Sequence, residues 1–202
     1  RHLGACFASV ALMAAGVGGR LAEAADQTAT FSPVYGSEKL PFVIRLERVA
    51  WGEAERPTVH SYVAAQWQGE WLILGGRTNG LHGMTGQNAF PTASANTDLW
   101  VLDRVGGRTW RRPLAETGLP ARTIDFLSAT NHNFVQEEGR LYIVGGYGFD
   151  RSAADFVTFD FLAEVDVPGL MAWVKAAPGA PPPSDAVRTV RSSLFQVTGG
   201  AL

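Results

Sequence analysis

The chain has 202 residues, 46% hydrophobic and 18% charged, enough for a domain with its own core. A formal net charge of -2 with no Lys/Arg block excludes the electrostatic footprint of a nucleic-acid-binding face. One cysteine excludes an internal disulfide and a multi-cysteine zinc site within this sequence, while 23 Gly, 11 Pro, 11 Phe and 6 Trp point to an all-β composition rich in turns.

Residues 1–24 read as a secretory signal peptide. Arg1 and His2 precede an apolar run from Leu3 to Gly19, and Ala22-Glu23-Ala24 offers a small-residue cleavage site before polar Ala25-Asp26-Gln27-Thr28. The apolar run is at the lower limit for crossing a bilayer. The mature chain is therefore expected to be secreted, periplasmic or at the cell surface, with no membrane span. Leu3-Gly4-Ala5-Cys6 has the outline of a lipoprotein box, but the apolar core of the signal follows Cys6 instead of preceding it, so Cys6 reads as a small residue inside the signal. A lead-in at 25–58 carries the β-prone segments Phe42-Val43-Ile44-Arg45-Leu46 and Val49-Ala50-Trp51.

A repeat begins near residue 59. His60 to Trp67 is strand-like, Gln68-Gly69-Glu70 is a turn, and Trp71-Leu72-Ile73-Leu74 is a second strand ending in Gly75-Gly76. A loop from Arg77 to Ala95 leads to Asn96-Thr97-Asp98-Leu99-Trp100-Val101-Leu102-Asp103, with Trp110 seven residues later. The pattern returns as Asn131 to Gln136, the turn Glu137-Glu138-Gly139-Arg140, Leu141-Tyr142-Ile143-Val144 with Gly145-Gly146, and Phe161 to Asp166. Leu170 to Ala177 reads as a short helix, so Trp173 is not expected to be the counterpart of Trp110. Leu194-Phe195-Gln196-Val197-Thr198-Gly199-Gly200 reads as a third, weaker copy of the strand and Gly pair. Aligned in this way, the pairs recur after 70 and then 54 residues (75 to 145 to 199).

The order apolar strand, Gly-Gly, Asn-x-Asp-Leu, Asp, Trp resembles the kelch repeat, over roughly residues 59 to 202. A narrower likeness, on His-Ser-Tyr and Gly-Gly-Arg-Thr-Asn-Gly-Leu-His, is to secreted bacterial kelch proteins of unassigned function. The resemblance implies an all-β, kelch-type β-propeller whose repeats run about 50 residues. It implies a four-stranded antiparallel blade at 59–127, a second at 128–190 with a helical insert near 168–177, and the first strands of a third at 191–202. The lead-in would be the outer strand of a closing blade. Because propellers close with about four blades or more, the sequence is expected to be a piece of a longer product. Gly75, Gly76, Gly145, Gly146, Gly199, Gly200, Asp98, Asp103, Asp166 and Trp110 are expected to serve turns and packing.

The resemblance also places ligand binding at one end of the ring, on the loops after the Gly pairs and the openings of the first strands. By motif position this gives Arg77, Thr78, Asn79 and His82, then Tyr147, Phe149, Asp150 and Arg151, with His60, Ser61, Asn131 and His132 at the strand openings. Arg, Asn, His and aromatic side chains suit a glycan or a peptide through hydrogen bonds and stacking. His60, His82 and His132 have no ligand-like spacing, so no metal and no cofactor is expected. No nucleophile or phosphate-loop motif is present. The expected function is a non-enzymatic binding scaffold for a glycan, peptide or surface partner. The alternative is a carbohydrate-active enzyme of the sugar mutarotase or galactose-oxidase-like type, although the oxidase crosslink needs a cysteine that this segment lacks outside the signal.

Overall fold

The computed structural model describes residues 54–80 and 90–200. All of them belong to the second of two units into which the chain divides, Val49–Leu202. The expected signal peptide, the lead-in up to residue 53 and His82 lie outside the described residues.

Strands β1 (Val63–Trp67), β2 (Glu70–Leu74), β3 (Asp98–Asp103) and β4 (Arg108–Pro113) form one antiparallel sheet in the order β1-β2-β3-β4. Alternation sets the register. Val63, Ala65, Leu72, Leu74, Leu99 and Val101 fill one face, while Ile73, Trp100 and Leu102 form a separate cluster with Val59 and Trp71 on the other. Gln68 (φ 50°) and Gly69 (φ 83°) make the tight β1–β2 turn, whose twist matches the strands. Asp103 organises the β3–β4 turn as expected, accepting the N–H groups of Val105 (3.1 Å) and Gly106 (2.7 Å) and the Arg108 guanidinium.

A one-turn 3-10 segment (Leu114–Thr117) and a short helix α1 (Ala121–Leu127) lead to the second sheet. Its strands are β5 (Asn133–Glu137), β6 (Arg140–Val144), β9 (Phe161–Asp166) and β10 (Val187–Arg191), again antiparallel, in the order β10-β9-β6-β5. Between β6 and β9 the chain makes a separate hairpin, β7 (Tyr147–Asp150) with β8 (Asp155–Thr158). Tyr147 to Asp150 is therefore strand, not the open loop expected from motif position; alternating Tyr147, Phe149, Phe156 and β-branched Val157 favour the pairing. Helix α2 (Val167–Lys175) intervenes before β10, as expected near 168–177, and buries Val167, Leu170, Met171, Trp173 and Val174.

The two sheets are built on one register. Glu70 pairs with Asp103 as Arg140 pairs with Asp166, so Asp98 and Phe161 are counterparts. Counting on from the last strands, Trp110 opposite Val101 corresponds to Arg188 opposite Glu164. Trp173 belongs to the helix, and Trp110 packs partly buried against the core. Leu141, Ile143, Phe161, Ala163 and Val165 share one cluster with the filled face of the first sheet. At about 1.5–3 kcal/mol per fully buried aliphatic or aromatic side chain, this cluster is the main source of cohesion.

Two expectations are corrected. Asp98 makes only a long 3.9 Å approach to Arg111, and the side chain that ties this turn together is Asn96. Asn96 Nδ2 donates to the Gly75 carbonyl (2.9 Å), and its Oδ1 accepts from the Asp98 N–H (3.2 Å) and Trp100 Nε1 (3.3 Å). The third apolar run is not a strand either: Ser193–Phe195 is a 3-10 turn, and Leu194 is 84% exposed. Its backbone is engaged elsewhere. The Val197 carbonyl accepts from the Gly146 N–H, as the Ala129 carbonyl accepts from the Gly76 N–H (both 2.8 Å). Residues 193–200 thus repeat the stretch that precedes a first strand, and Gly199-Gly200 is no counterpart of Gly75-Gly76. Placed in the right phase, Ser61 (φ 52°), Asn131 (φ 57°) and Gly199 (φ 68°) are equivalent, 70 and then 68 residues apart.

Candidate ligand-binding cleft

The expected site residues separate into three groups. His60 and Thr130 hold equivalent antiparallel bridges, to Arg77 and Tyr147 respectively, which brings both Gly-pair loops beside the strand openings. Ser61 and Asn131 occupy the left-handed turns between these bridges and the first strands, and act through their backbone. Thr78 turns away, its N–H (2.9 Å) and Oγ1 (3.3 Å) donating to the Ser94 carbonyl.

His132 and Asp150 are buried groups that do not line the cleft, which corrects their assignment to a ligand face. His132 is 6% exposed and wedged against the second glycine pair: a Cβ on Gly146 would stand 2.5 Å from its ring. Its Nε2–H donates to the Phe126 carbonyl (2.8 Å), so Nδ1 is the bare nitrogen, buried and without a partner. Burial lowers its pKa to about 4, against a smaller upward pull from that carbonyl, and the ring is neutral at pH 7. Asp150 is 2% exposed. Burial pushes its pKa up, but hydrogen bonds from Ser152, Arg122 and the Ser152 and Ala153 backbone overcome it and hold the carboxyl at about 2.

Asp150 and Arg151 staple the β7–β8 hairpin to α1 by two ion pairs of opposite polarity. Arg122 Nε donates to Asp150 Oδ2 (2.8 Å), and Arg151 Nε donates to Asp125 Oδ1 (2.6 Å). The Arg151 N–H adds a third bond to Asp125 Oδ2 (3.0 Å).

The remaining residues, Arg77, Tyr147, Phe149 and Arg151, converge on a cleft of about 410 Å3 between the loop after β2 and the β7–β8 hairpin. Tyr147, Phe149 and Phe156 present half-buried rings, backed by apolar Ile124, Ala129 and Pro113. Tyr147 stacks on Phe156 (centroids 5.7 Å, 23°), and Phe149 meets Phe156 edge-on (5.4 Å, 68°). Phe90 stands edge-on to Tyr147 (5.4 Å, 81°) and carries the Arg77 guanidinium over its face at 5.0 Å. Thr97, Ser128 and Thr130 also line the cleft, with the Ser128 and Thr130 hydroxyls donating to the carbonyls of Ile124 (2.8 Å) and Ser61 (3.2 Å), and Asp125 adds a carboxylate held by Arg151. Arg77 is 3% exposed; Nη2 donates to the Pro91 carbonyl (2.6 Å) and Nε to Asn79 Oδ1 (3.3 Å).

Motif position missed Phe90, Asp125, Thr130 and Phe156. Phe156 was within reach, since it faces Phe149 across a short hairpin of aromatic and β-branched residues. Asp125 and Thr130 enter from the connection between the sheets, which carries no repeat signature.

No protein-family model, curated protein or solved structure matches the chain. Among the described residues no helix is long and apolar enough to cross a membrane, and no group of three His, Cys, Asp or Glu side chains is placed to hold a metal ion.

Proposed function

We propose that the two sheets are consecutive blades of a kelch-type β-propeller, and that the chain is an exported, non-enzymatic binding scaffold taking a glycan in the cleft beside Arg77 and Tyr147. The propeller reading is supported by the repeated register, by the equivalent Gly76–Ala129 and Gly146–Val197 bonds, and by Ser61, Asn131 and Gly199 recurring in phase. It also accounts for an uncovered face. Val135 is 44% exposed and Leu194 84%, whereas their counterparts Ala65 and Phe126 are buried at 2% and 0%. In a ring, a third blade covers that face.

The observation that carries the glycan reading is the aromatic wall of Tyr147, Phe149 and Phe156 set beside hydroxyl and guanidinium groups. Ring faces meet the apolar faces of sugars, and the fixed donors and acceptors around them orient hydroxyl groups. The enzyme reading asks for an acid or base free to exchange protons at the cleft. Asp125 and Asp150 are each held by an arginine, and His132 is sealed behind Gly146, which favours binding without turnover.

Parallel glycan and peptide arrays test the reading, followed by a turnover assay on each ligand retained. Saturable glycan binding with no chemical change in the sugar supports it. Peptide-only binding, or sugar interconversion, contradicts it.

A further inference from the structure

We infer that the sugar held in this cleft carries a carboxylate, and that Arg77 is the residue that meets it. The inference rests on the glycan-binding reading and adds the charge of the ligand.

Arg77 is set apart from most of the other arginines by what surrounds it. Arg108, Arg111, Arg122, Arg140, Arg151 and Arg191 each have an Asp or Glu oxygen within 3.5 Å. Arg112 is also buried, but its Nη2 donates to the carbonyls of Ala176 and Ala177 at the C-terminal end of α2, where the helix dipole supplies negative charge. Arg77 has neither compensation. Its described hydrogen bonds go to one backbone carbonyl and one amide oxygen, its face rests on Phe90, and among the described residues no carboxylate lies within 4.0 Å. Burial accordingly depresses its pKa with no opposing partner.

A guanidinium taken out of water without a counter-charge is costly to the fold, and the cost is recovered when an anion docks against it. Arg77 borders the cleft, so that anion comes from whatever fills the cleft. A single buried cation matches a single negative charge. The second arginine on the lining, Arg151, is already neutralised by Asp125, and the rest of the wall is aromatic, apolar or hydroxylic. Those surroundings fit a carboxylate on a ring-shaped body better than a phosphate or sulfate, which calls for several donors. A uronic-acid residue within an oligosaccharide has this chemistry.

The test uses the full chain, with uronate oligosaccharides each paired with their methyl ester and carboxyl-reduced forms, measured by calorimetry. The acid form is expected to bind at least about tenfold more tightly than either neutral form, with the margin shrinking as salt is raised. Arg77→Met should bring acid and ester to the same affinity, and Arg77→Lys should retain part of the difference. Equal affinity of the wild type for acid and ester overturns the inference while leaving the glycan reading in place. No binding to any oligosaccharide removes both. The wild-type comparison decides even where Arg77→Met fails to fold.

Discussion

The backbone N–H of Asn131 donates to the carbonyl of Ser61 at 3.2 Å, joining two left-handed residues that open successive sheets. The link is repeated one unit on, where the N–H of Gly199 donates to the Asn131 carbonyl at 2.8 Å. Threonine hydroxyls reinforce both steps, Thr130 Oγ1 to Ser61 (3.2 Å) and Thr198 Oγ1 to Asn131 (3.3 Å). Successive units are thus tied at the openings of their first strands by main chain held in a conformation that few side chains tolerate. Asn131→Gly should change stability by less than about 0.5 kcal/mol, whereas β-branched Asn131→Val should cost about 2 kcal/mol. Urea unfolding of both variants measures the difference.

Gln136 makes a second tie between the units. Its amide acts as a length of strand, accepting from the Gln66 N–H (2.7 Å) and donating to the Gln66 carbonyl (2.7 Å), which links β5 to β1. The sequence shows Gln at the fourth position of VAAQW and again of NFVQE, although only the Gln136 amide is used in this way. Gln136→Ala should cost about 1–2 kcal/mol, since two backbone groups lose their partner, while Gln66→Ala should stay within about 0.5 kcal/mol. Equal effects on the denaturation midpoint would show that the crosslink contributes nothing.

His132 should make the fold acid-sensitive in a defined window. Its folded pKa is about 4, below the ordinary value of 6.5, so beneath pH 6.5 the unfolded chain takes up a proton that the folded chain does not. Stability should therefore fall from pH 6.5 to about 4, by roughly 3 kcal/mol in total, and this contribution then levels off. Replacing the ring by His132→Phe should flatten the slope over the upper part of that window, where the lowered Asp carboxylates contribute little, whatever it does to stability at pH 7. Unfolding free energies measured at half-unit pH steps give the slope directly.

Gly146 has both a positive φ (89°) and a neighbour that leaves no room for a methyl group, the His132 ring at 2.5 Å. Gly146→Ala should cost roughly 3 kcal/mol, from left-handed strain of about 1–2 kcal/mol together with overpacking. Gly69→Ala, at a similar φ (83°) with nothing within 4 Å, should cost about 1 kcal/mol. A comparison of thermal midpoints separates strain from crowding.

What the sequence made legible follows the repeat. The first three strands of each sheet and the glycine pairs were visible because hairpin and Gly pair recur together at 70-residue spacing and the Asp-ended third strand follows each, whereas β10, after the helix, carries no such signature. The third run misled because Thr198-Gly199-Gly200 imitates a strand end, while the left-handed turn that opens a sheet is occupied by three different residues, Ser61, Asn131 and Gly199. Helix α1 has seven residues, too few to show a period, and it holds the Arg122 and Asp125 partners that turn Asp150 and Arg151 from loop residues into staples. Of the site, Arg77, Tyr147 and Phe149 were legible by position. Their common cleft was not, because it depends on how the loop after β2 meets the β7–β8 hairpin.

The most direct test of the account is calorimetric titration of the full chain with the glycan selected on the array, for wild type and Tyr147→Ala. Loss of one ring from the wall of Tyr147, Phe149 and Phe156 should weaken binding by about tenfold or more in a protein that is still folded, with its thermal midpoint lowered only in proportion to the lost ring contacts. Unchanged affinity in a folded Tyr147→Ala protein would place the glycan elsewhere and contradict the cleft as the binding site.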